Sequence, residues 1–575
     1  LQFYNDFLHQ LFVPYGRQLA NAAFLNQLAS KAESYFQKRE IDFVAVDGTC
    51  SRDPFQDFMV FFSAAYGVKG RVSMEGRSST LRYERWSMDQ DVSLVAYVPV
   101  PYAEAGDITD AGHRDEFVVD DTHKINLSSI HTRLMQLAEV YLAYQMARST
   151  AVAGPKLILM DLSLSSVLMS TDVGLDNVRL FGSPIGSRQL DRRDGLVVYA
   201  HPIDPTLGVP TAKKYRRWAH VVGLLHGDGA HVVDLNDLAL QTGVSRTEWE
   251  ESLSEPHAKE VIDVRQGRAY PKIDFRASWF DAVRLFEDFC DRLFHKREPE
   301  ALIYTVRDDQ ASRLRWMAPE DISFLVAVGL RALIETCWER GIMLIGIAKD
   351  SASRYFSRHY VGAMREIGVF PQVPAQVLPW TDRVLLESIA YQVDELVAPW
   401  ATTEFDSVFM TLHVEENPQG DRRFVRGMRG NIVNPERLFA RSLAQFFHAR
   451  RKAAPLMGHV IFVDRLLDPR LDKTLLKDLT RSTICNAELG TINPAYFGTN
   501  QDTNLGQAIS IWLLNVLTRN LFPEVIGYPD PLHKADWGAK SVKRRVDRLI
   551  QSSETAFRAR PLSRLFRTTR DQHTR

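Results

Sequence analysis

The chain has 575 residues, of which 45% are hydrophobic and 25% are charged, a composition typical of a globular protein and not of a disordered one. Its formal net charge of −1 excludes a protein that is basic over its whole surface, so any contact with nucleic acid depends on local basic patches. No apolar run reaches membrane-spanning length, and the first residues lack a signal-peptide pattern. The four cysteines lie far apart and form no Cys-x-x-Cys pair, so we expect a cytoplasmic protein with reduced thiols. The length suggests two or three domains, or one large fold carrying insertions.

The first predicted strand ends in a carboxylate. A helix predicted over residues 21–39 leads into the apolar run 43–46, which Asp47 and Gly48 follow. An ionised aspartate at the end of a buried strand needs an ion pair, hydrogen bonds or a metal ion. Because Asp-Gly is also common in turns, the sequence leaves Asp47 as either a turn residue or a ligand.

A second strand-end carboxylate follows further along the chain. Residues 55–66, 71–83 and 91–98 are rich in aromatic and β-branched residues and predict a meander of strands. After an acidic loop at 104–121, helical spacing predicts a helix over 128–148 that contains Glu139. The apolar run 157–160 then predicts another strand, and it too ends in aspartate, Asp161.

This order of elements has a chemical interpretation. If the two strands are neighbours in one sheet, Asp47 and Asp161 project at the same edge, and Glu139 on a packed helix completes a set of oxygen ligands for Mg²⁺ or Mn²⁺. Two such ions about 4 Å apart catalyse phosphodiester displacement, as in nucleases of the ribonuclease H type. The alternative is two unrelated strand-end aspartates and a surface glutamate.

Residues 181–275 have the features of an insertion. A short helix, the turn at Gly243 and a capping box formed by Ser245 and Glu248 have the spacing of a helix-turn-helix motif, which can enter a DNA groove. A helical hairpin with a purely structural role has the same spacing, so both interpretations stay open.

The second half of the chain supplies cations. A helix predicted over 319–340 leads to a strand at 343–348 that ends at Lys349, and Arg354 and Arg358 follow among aromatic residues. This combination suits contact with phosphates and stacked bases, and an ordinary solvated loop is the alternative. Strands are predicted at 407–414 and 459–463 and a helix at 506–520. Two further basic patches are candidates for polyanion contact: one contains Arg422, Arg423, Arg426 and Arg429, and the other runs from Lys540 to the last residue.

Taken in order, these motifs resemble those of the NurA family of nucleases. The segments that carry the resemblance are Val46-Asp47-Gly48-Thr49, Glu139 before the second aspartate, Asp161 in Leu-Ile-Leu-Met-Asp-Leu-Ser-Leu, the run from Ile345 to Lys349-Asp350-Ser351, and Gly527-Tyr528-Pro529 leading to Ala535-Asp536. The resemblance implies an α/β fold with a ribonuclease H-like core, a mixed sheet flanked by helices, here with a mid-chain helical insertion. It also implies cleavage of DNA with Mn²⁺ or Mg²⁺, two ions being expected, a homodimer, and a HerA-type hexameric ATPase as partner.

The resemblance also assigns roles to residues of this chain. It implies that Asp47, Glu139, Asp161 and Asp536 are metal ligands and that Tyr528 lies close to the metal. The chain departs from the family pattern at two places: Asp536 stands where the family usually has histidine, and Leu162 stands where it has glycine. The first departure affects the preferred ion, and the second favours an inactive or altered nuclease.

We therefore predict a metal-dependent DNA exonuclease that acts in end resection or in defence against foreign DNA, with Lys349 binding or polarising phosphate and Arg354, Arg358, Arg426 and Arg429 contacting DNA. The predicted divisions are 1–180 and 276–550 for the two parts of the nuclease core, 181–275 for the insertion and 551–575 for a basic tail. The main alternative is a non-catalytic adaptor that grips DNA or the ATPase without cutting. A sequence-specific regulator that uses residues 236–253 is a third hypothesis.

Overall fold

The structure is a computed structural model that describes most of the chain. The described residues are 4–55, 58–75, 79–84, 93–101, 129–149, 154–171, 174–201, 203–204, 207, 217–227, 232–298, 300–308, 311–349, 353–361, 364, 381–406, 412–416, 422–426, 437–449, 456–472, 484–486, 490–492, 496, 504–519 and 525–558. The predicted acidic loop at 104–121 and most of the predicted tail therefore lie outside the described residues.

The described chain contains both helices and strands. The helices are α1 (Tyr15–Ala20), α2 (Ala22–Phe36), α3 (Ile130–Arg148), α4 (Leu164–Thr171), α5 (Arg192–Ala200), α6 (Arg217–Gly227), α7 (Leu235–Thr242), α8 (Arg246–Leu253), α9 (Pro256–Val261), α10 (Phe275–Cys290), α11 (Pro319–Arg340), α12 (Asp382–Gln392), α13 (Leu505–Leu517) and α14 (Asp530–Arg558). The strands are β1 (Phe12–Val13), β2 (Glu40–Phe55), β3 (Phe58–Ser73), β4 (Leu81–Tyr83), β5 (Ser93–Pro101), β6 (Leu157–Met160), β7 (Pro184–Ile185), β8 (Arg188–Gln189), β9 (Val233–Asp234), β10 (Ile262–Arg265), β11 (Arg268–Pro271), β12 (Ile303–Asp308), β13 (Ala311–Trp316), β14 (Met343–Ala348), β15 (Trp400–Thr402), β16 (Phe405–Asp406), β17 (Leu412–Glu416), β18 (Arg422–Arg426), β19 (Phe439–Gln445), β20 (His448–Ala449), β21 (Leu456–Met457), β22 (Val460–Leu466), β23 (Ile484–Asn486) and β24 (Gly490–Ile492).

A large mixed sheet forms the centre of the fold. Its strand order is β1-β15-β19-β22-β14-β6-β2-β3-β4, with β5 also paired to β3 and β16 to β19. The strands β2, β3 and β5 form an antiparallel meander, β6 is parallel to β2, and β14 is parallel to β6. The strands β22, β19, β15 and β1 extend the sheet in antiparallel pairs. The predicted mixed sheet flanked by helices is confirmed.

The alternation of side chains along β2 explains why both faces of the sheet are covered. Val44 and Val46 point into one core with side chains of α3 and α11, whereas Phe43 and Ala45 point into a second core with α2 and α13. All four side chains are buried. Because successive residues of a strand face opposite sides, a continuous apolar run is what a strand buried on both faces requires.

The hairpin of β2 and β3 is longer than the sequence predicts. Each strand has 16 residues, and β3 continues through 67–70, where the prediction placed a break between two strands. The break is wrong because Gly70 is a packing residue and not a turn residue. It pairs with Phe43, and a Cβ at Gly70 would lie 2.5 Å from the Phe43 ring.

The predicted insertion contains its own small helical and β structure. The strands β10, β11 and β9 form a three-stranded sheet beside α7 and α8, and the turn between these helices has Gly243 at φ 71°. The capping box of Ser245 and Glu248 opens α8 as predicted. However, α8 carries Arg246 and three glutamates, and Arg246 is paired with Glu250 at 2.7 Å. A helix with net negative charge is unsuited to a DNA groove, which favours the structural interpretation of the hairpin.

Most other predicted elements lie where the sequence places them. The helices α3, α11 and α13 and the strands β6 and β14 are within two or three residues of the predicted bounds. The predicted strand at 407–414 is described only from Leu412, where β17 begins. Helix α14 crosses the predicted core-to-tail division at residue 550. Among the described residues, no helix combines the length and apolarity needed to span a bilayer.

Candidate metal centre

Parallel pairing brings Asp47 and Asp161 together. Val46 of β2 is paired with Met160 of β6, so Asp47 and Asp161 come next on adjacent strands. The predicted strand end at Asp47 is wrong, because β2 continues to Phe55 in its hairpin with β3; only Asp161 follows the end of its strand. The backbone N–H of Asp161 donates to the carbonyl oxygen of Val46 at 3.0 Å, which fixes this register one residue beyond the strand. Asp47 is buried, with 6% of its surface exposed, and its Oδ1 accepts a hydrogen bond from the Gly48 N–H at 2.7 Å.

The predicted helix glutamate lies against the same edge. Glu139 faces inward from the middle of α3 and is only 3% exposed. Its carboxyl group packs on Gly48, where a Cβ atom would lie 2.7 Å from Oε1 and 2.8 Å from Cδ. Glycine next to Asp47 therefore serves close packing of this carboxylate and not a turn, since Gly48 is part of the extended strand β2.

Lys349 and Tyr528 close another side of the centre. Lys349 follows β14, and its Nζ lies 3.4 Å from Asp161 Oδ2 and 4.6 Å from the centre of the Tyr528 ring. Tyr528 is 1% exposed, and its hydroxyl interacts with Asp161 without the geometry of an ordinary hydrogen bond. Burial, followed by Asp161, raises the pKa of this phenol well above its usual value. Tyr528 is therefore a neutral hydroxyl beside Asp161.

Asp536 approaches from the first half of α14. Its carboxylate interacts with both Asp47 and Asp161, and its Oδ2 also accepts a hydrogen bond from Lys540 Nζ at 2.8 Å. Gly538 lets α14 lie directly on β3, because a Cβ there would overlap the Tyr66 ring. The residue that stands where the related pattern has histidine is thus placed at the carboxylate centre by its helix.

The centre has more negative charge than its neighbours neutralise. Burial, then repulsion by Asp161 and Asp536, raises the pKa of Asp47 to about 8, although Gly48 and Lys349 oppose the shift. Burial, Asp47 and Asp161 raise the pKa of Glu139 well above its usual range. The pKa of Asp161 is raised by burial in spite of Lys349 and Tyr528. Divalent cations remove such repulsion, so the charge balance fits metal binding.

The donor atoms also fit a hard cation, but they are spread more widely than in a closed cage. Carboxylate oxygens are the ligands preferred by Mg²⁺ and Mn²⁺. Among the described residues, no three of the four carboxylates place oxygens within 4.8 Å of one another, since the one such group is His201, His226 and Glu335, elsewhere in the fold. Side-chain rotation toward an ion would therefore accompany metal binding.

The structure describes the side chains of only some of the arginines that are predicted to contact DNA. Arg354 is half-buried and precedes the π-helical turn Tyr355–Tyr360. Arg358 belongs to that turn and Arg426 ends β18, but their side chains lie outside the described residues, as does Arg429 entirely. Their contact with DNA stays a prediction.

Sequence reasoning missed a buried ion pair that supports the segment after Asp161. Arg441 on β19 donates from Nε to Asp464 Oδ1 on β22 at 2.6 Å, and both side chains are no more than 2% exposed. Asp464 Oδ2 accepts hydrogen bonds from Ser163 Oγ at 2.8 Å and the Ser165 N–H at 3.1 Å. The signal was present in the sequence, because Asp464 follows the apolar run 460–463 just as Asp47 follows the run 43–46.

We expect Arg441→Met to destabilise the protein by about 3–5 kcal/mol, because it leaves the Asp464 carboxylate buried without its cation. Urea unfolding followed by circular dichroism measures the change. The double variant Arg441→Met/Asp464→Leu should recover much of the loss, since both charges are then absent. If the single variant is as stable as the parent protein, the ion pair does not support this segment.

The comparisons with known proteins are limited to structures. No family model and no curated protein matches the sequence. The fold is similar to the crystal structure of the NurA nuclease from Sulfolobus solfataricus, with 11% identity, 92% of this chain and 91% of that chain covered, and a TM-score of 0.31. It is also similar to NurA with manganese, at 13% identity, 92% and 96% coverage and a TM-score of 0.30, and to NurA bound to dAMP and manganese, at 10% identity, 90% and 91% coverage and a TM-score of 0.27.

These structures carry the name of the family that the sequence motifs resemble. Because their TM-scores lie below 0.5, the likeness carries no part of the functional argument. The function is inferred instead from the carboxylate centre and from the strands and helices that assemble it.

Proposed function

We propose that the chain is a metal-dependent DNA nuclease whose active site is the carboxylate centre. The observation that carries the proposal is the convergence of Asp47 and Asp161 from adjacent parallel strands with Glu139 and Asp536, beside the strand-end cation Lys349. Carboxylates that share one site and repel one another are expected where ions are to be bound. A mixed sheet in which the meander β2-β3-β5 is followed by parallel β6 and β14 supports a ribonuclease H-like core.

The residues of the centre take distinct roles in this proposal. Asp47 and Asp161 would each bind or bridge ions, and Glu139 and Asp536 would complete the shells. When bound, two Mn²⁺ or Mg²⁺ ions supply neutralisation of the phosphate and activation of the attacking water. Lys349 would hold a phosphate oxygen. Tyr528 orients both of its neighbours, because its ring lies under the Lys349 ammonium and its hydroxyl faces Asp161.

Helix α14 offers a path for the DNA backbone toward the centre. It carries Asp536 and, further along, exposed basic residues beside β2, where Lys543 Nζ lies 3.5 Å from the Cys50 carbonyl oxygen. Lysine and arginine along one helix bind phosphates without regard to sequence, as a nuclease of broad specificity requires. The exposed basic residues of α14 are Lys540, Arg544, Arg545 and Arg548.

The remaining features of the proposal follow from the resemblance of the motifs. They are exonucleolytic action in end resection or in defence against foreign DNA, a homodimer, and a HerA-type hexameric ATPase that feeds DNA to the centre. The non-catalytic adaptor remains the second candidate, because the Asp536 carboxylate is already paired with Lys540 and Leu162 follows Asp161.

Incubation of the purified protein with linear double-stranded and single-stranded DNA tests the proposal. We expect degradation with Mn²⁺ or Mg²⁺ and none with EDTA, because the centre cannot neutralise a phosphate without cations. The assay is repeated with the HerA-type ATPase and ATP, so that cleavage that depends on the ATPase is also detected. DNA binding without cleavage under every one of these conditions would favour the adaptor and contradict the nuclease.

A further inference from the structure

A second group of metal-ligand residues lies among the helices that join the insertion to the core. His201 follows α5, His226 lies in the last turn of α6, and Glu335 is on α11. One ligand atom from each of the three side chains lies within 4.8 Å of the other two. These residues share no member with the carboxylate centre.

The contacts within this group are close. His201 Nε2 lies 2.8 Å from Glu335 Oε1, and the two imidazole rings are 4.0 Å apart between centroids. The second carboxylate oxygen, Oε2, accepts a hydrogen bond from Trp279 Nε1 on α10 at 2.9 Å. Trp279 thus fixes one carboxylate oxygen while the other contacts His201, and an outer partner such as this indole N–H orients a carboxylate ligand.

Both imidazoles have a nitrogen that this network does not satisfy. His201 is 6% and His226 is 8% exposed, and the Nδ1 atom of each is buried without a hydrogen-bond partner among the described residues. A buried polar atom without a partner destabilises the folded state. Two such atoms in one cluster, beside a carboxylate, indicate a ligand that the side chains are built to receive.

We propose that His201, His226 and Glu335 bind a transition-metal ion, preferentially Zn²⁺, with water as a fourth ligand. Two imidazoles and one carboxylate are a known zinc donor set, and they differ in kind from the all-oxygen centre at Asp47. Ligand atoms in a tetrahedral zinc site lie about 3.4 Å apart, given bonds of about 2.1 Å. His201 Nε2 and Glu335 Oε1, now 2.8 Å apart, would therefore separate slightly as an ion entered between them.

The position of this site gives it a structural role. It joins α5 and α6 of the insertion to α11, and Trp279 adds α10. Helix α11 packs closely at Gly329 against Val140, because a Cβ atom at Gly329 would lie 3.0 Å from Val140 Cγ1, and Val140 is the neighbour of Glu139. The metal would thus connect the insertion to the helix that supports the carboxylate centre. This inference does not depend on whether that centre cleaves DNA.

Zinc binding by the full chain tests this inference with a readout other than activity. The protein is freed of metal with a chelator, supplied with excess Mn²⁺ to fill the carboxylate centre, and titrated with Zn²⁺. We expect one tight equivalent of Zn²⁺ and a rise in melting temperature. X-ray absorption at the zinc edge should show scattering from two imidazoles, which the residues proposed for the carboxylate centre do not contain.

Variants distinguish zinc binding by this cluster from zinc binding by other histidines. His226→Gln and Glu335→Gln should each weaken zinc binding by about 100-fold or more, since loss of even an outer partner of a ligand costs about 10–100-fold. His220→Gln is the matched control, because His220 is also buried on α6 with an unpartnered ring nitrogen among the described residues but lies outside the cluster. It should bind Zn²⁺ like the parent protein.

Three results would overturn the inference: no zinc bound beyond the manganese-filled centre, absorption spectra without imidazole scattering, or unchanged affinity in the His226→Gln and Glu335→Gln proteins. If one of these variants does not fold, the other variant and the absorption spectrum of the parent protein still test the inference.

Discussion

Asp47→Asn is expected to reduce metal-dependent DNA cleavage by about 1,000-fold or more while the metal-free protein becomes more stable. The loss of activity follows because a ligand shared by two ions contributes several kcal/mol of transition-state stabilisation, and each 1.36 kcal/mol is a factor of ten in rate. Initial rates of DNA degradation in saturating Mn²⁺ measure the first effect, and urea unfolding in EDTA measures the second.

The stability gain has a defined pH dependence. The pKa of Asp47 is about 8 in the folded, metal-free protein and about 3.9 in an unfolded chain. Between these values the folded state binds the extra proton, so the free energy of unfolding falls as pH rises through this interval. Asp47→Asn removes that fall, and its advantage over the parent protein should be largest near pH 8 and absent near pH 3.

Asp42→Asn is the matched control for this experiment. Asp42 lies on the same strand, and its carboxylate pairs with the half-exposed Arg71 at 2.7 Å. Loss of such a surface pair costs about 0–1 kcal/mol, and we expect cleavage at the parental rate. Parental activity in the Asp47→Asn protein would contradict the assignment of Asp47 as a metal ligand.

Gly48→Ala is expected to reduce cleavage by about 100-fold without changing any proposed ligand. The added methyl group would lie 2.7–2.8 Å from three atoms of the Glu139 side chain, so the carboxylate must move. A displacement of about 1 Å at a catalytic centre can cost about 100-fold in rate, and overpacking costs about 1–3 kcal/mol of stability. Single-turnover cleavage and urea unfolding measure the two effects.

The double variant Gly48→Ala/Glu139→Ala separates displacement of Glu139 from general damage. Removing the glutamate side chain relieves the overlap, so stability should return while activity stays low. Gly174→Ala is the control for glycine replacement, since the nearest atom to its new Cβ would be 3.4 Å away. If Gly48→Ala cleaves DNA at the parental rate, then Glu139 does not act at the position seen here.

The sequence allowed the centre of the fold to be predicted because its signals are local. Apolar runs before Asp47 and Asp161 identify the buried parts of two strands, and parallel pairing places the two aspartates side by side. Glu139 followed from helical spacing before the second strand. Each of these inferences needs only a few neighbouring residues. The predicted end of the first strand at Asp47 is wrong, because β2 continues to Phe55 in a hairpin that depends on the distant strand β3.

The features that the sequence did not reveal depend on contacts between distant segments. Gly70 has the composition of a turn but is required by the Phe43 ring, 27 positions earlier in the chain and opposite on the hairpin. The cluster of His201, His226 and Glu335 joins three helices that are separate in sequence. Neither periodicity nor residue type specifies such pairings, because they are decided by how helices pack on the sheet.

Manganese bound in crystals of the protein shows whether Asp47 and Asp161 are metal ligands. Anomalous diffraction at the manganese edge locates each ion without reference to activity. The account predicts anomalous peaks about 2.1 Å from carboxylate oxygens of both Asp47 and Asp161, with Glu139 and Asp536 turned toward them. Crystals that contain Mn²⁺ but show no peak at this edge of the sheet would contradict it.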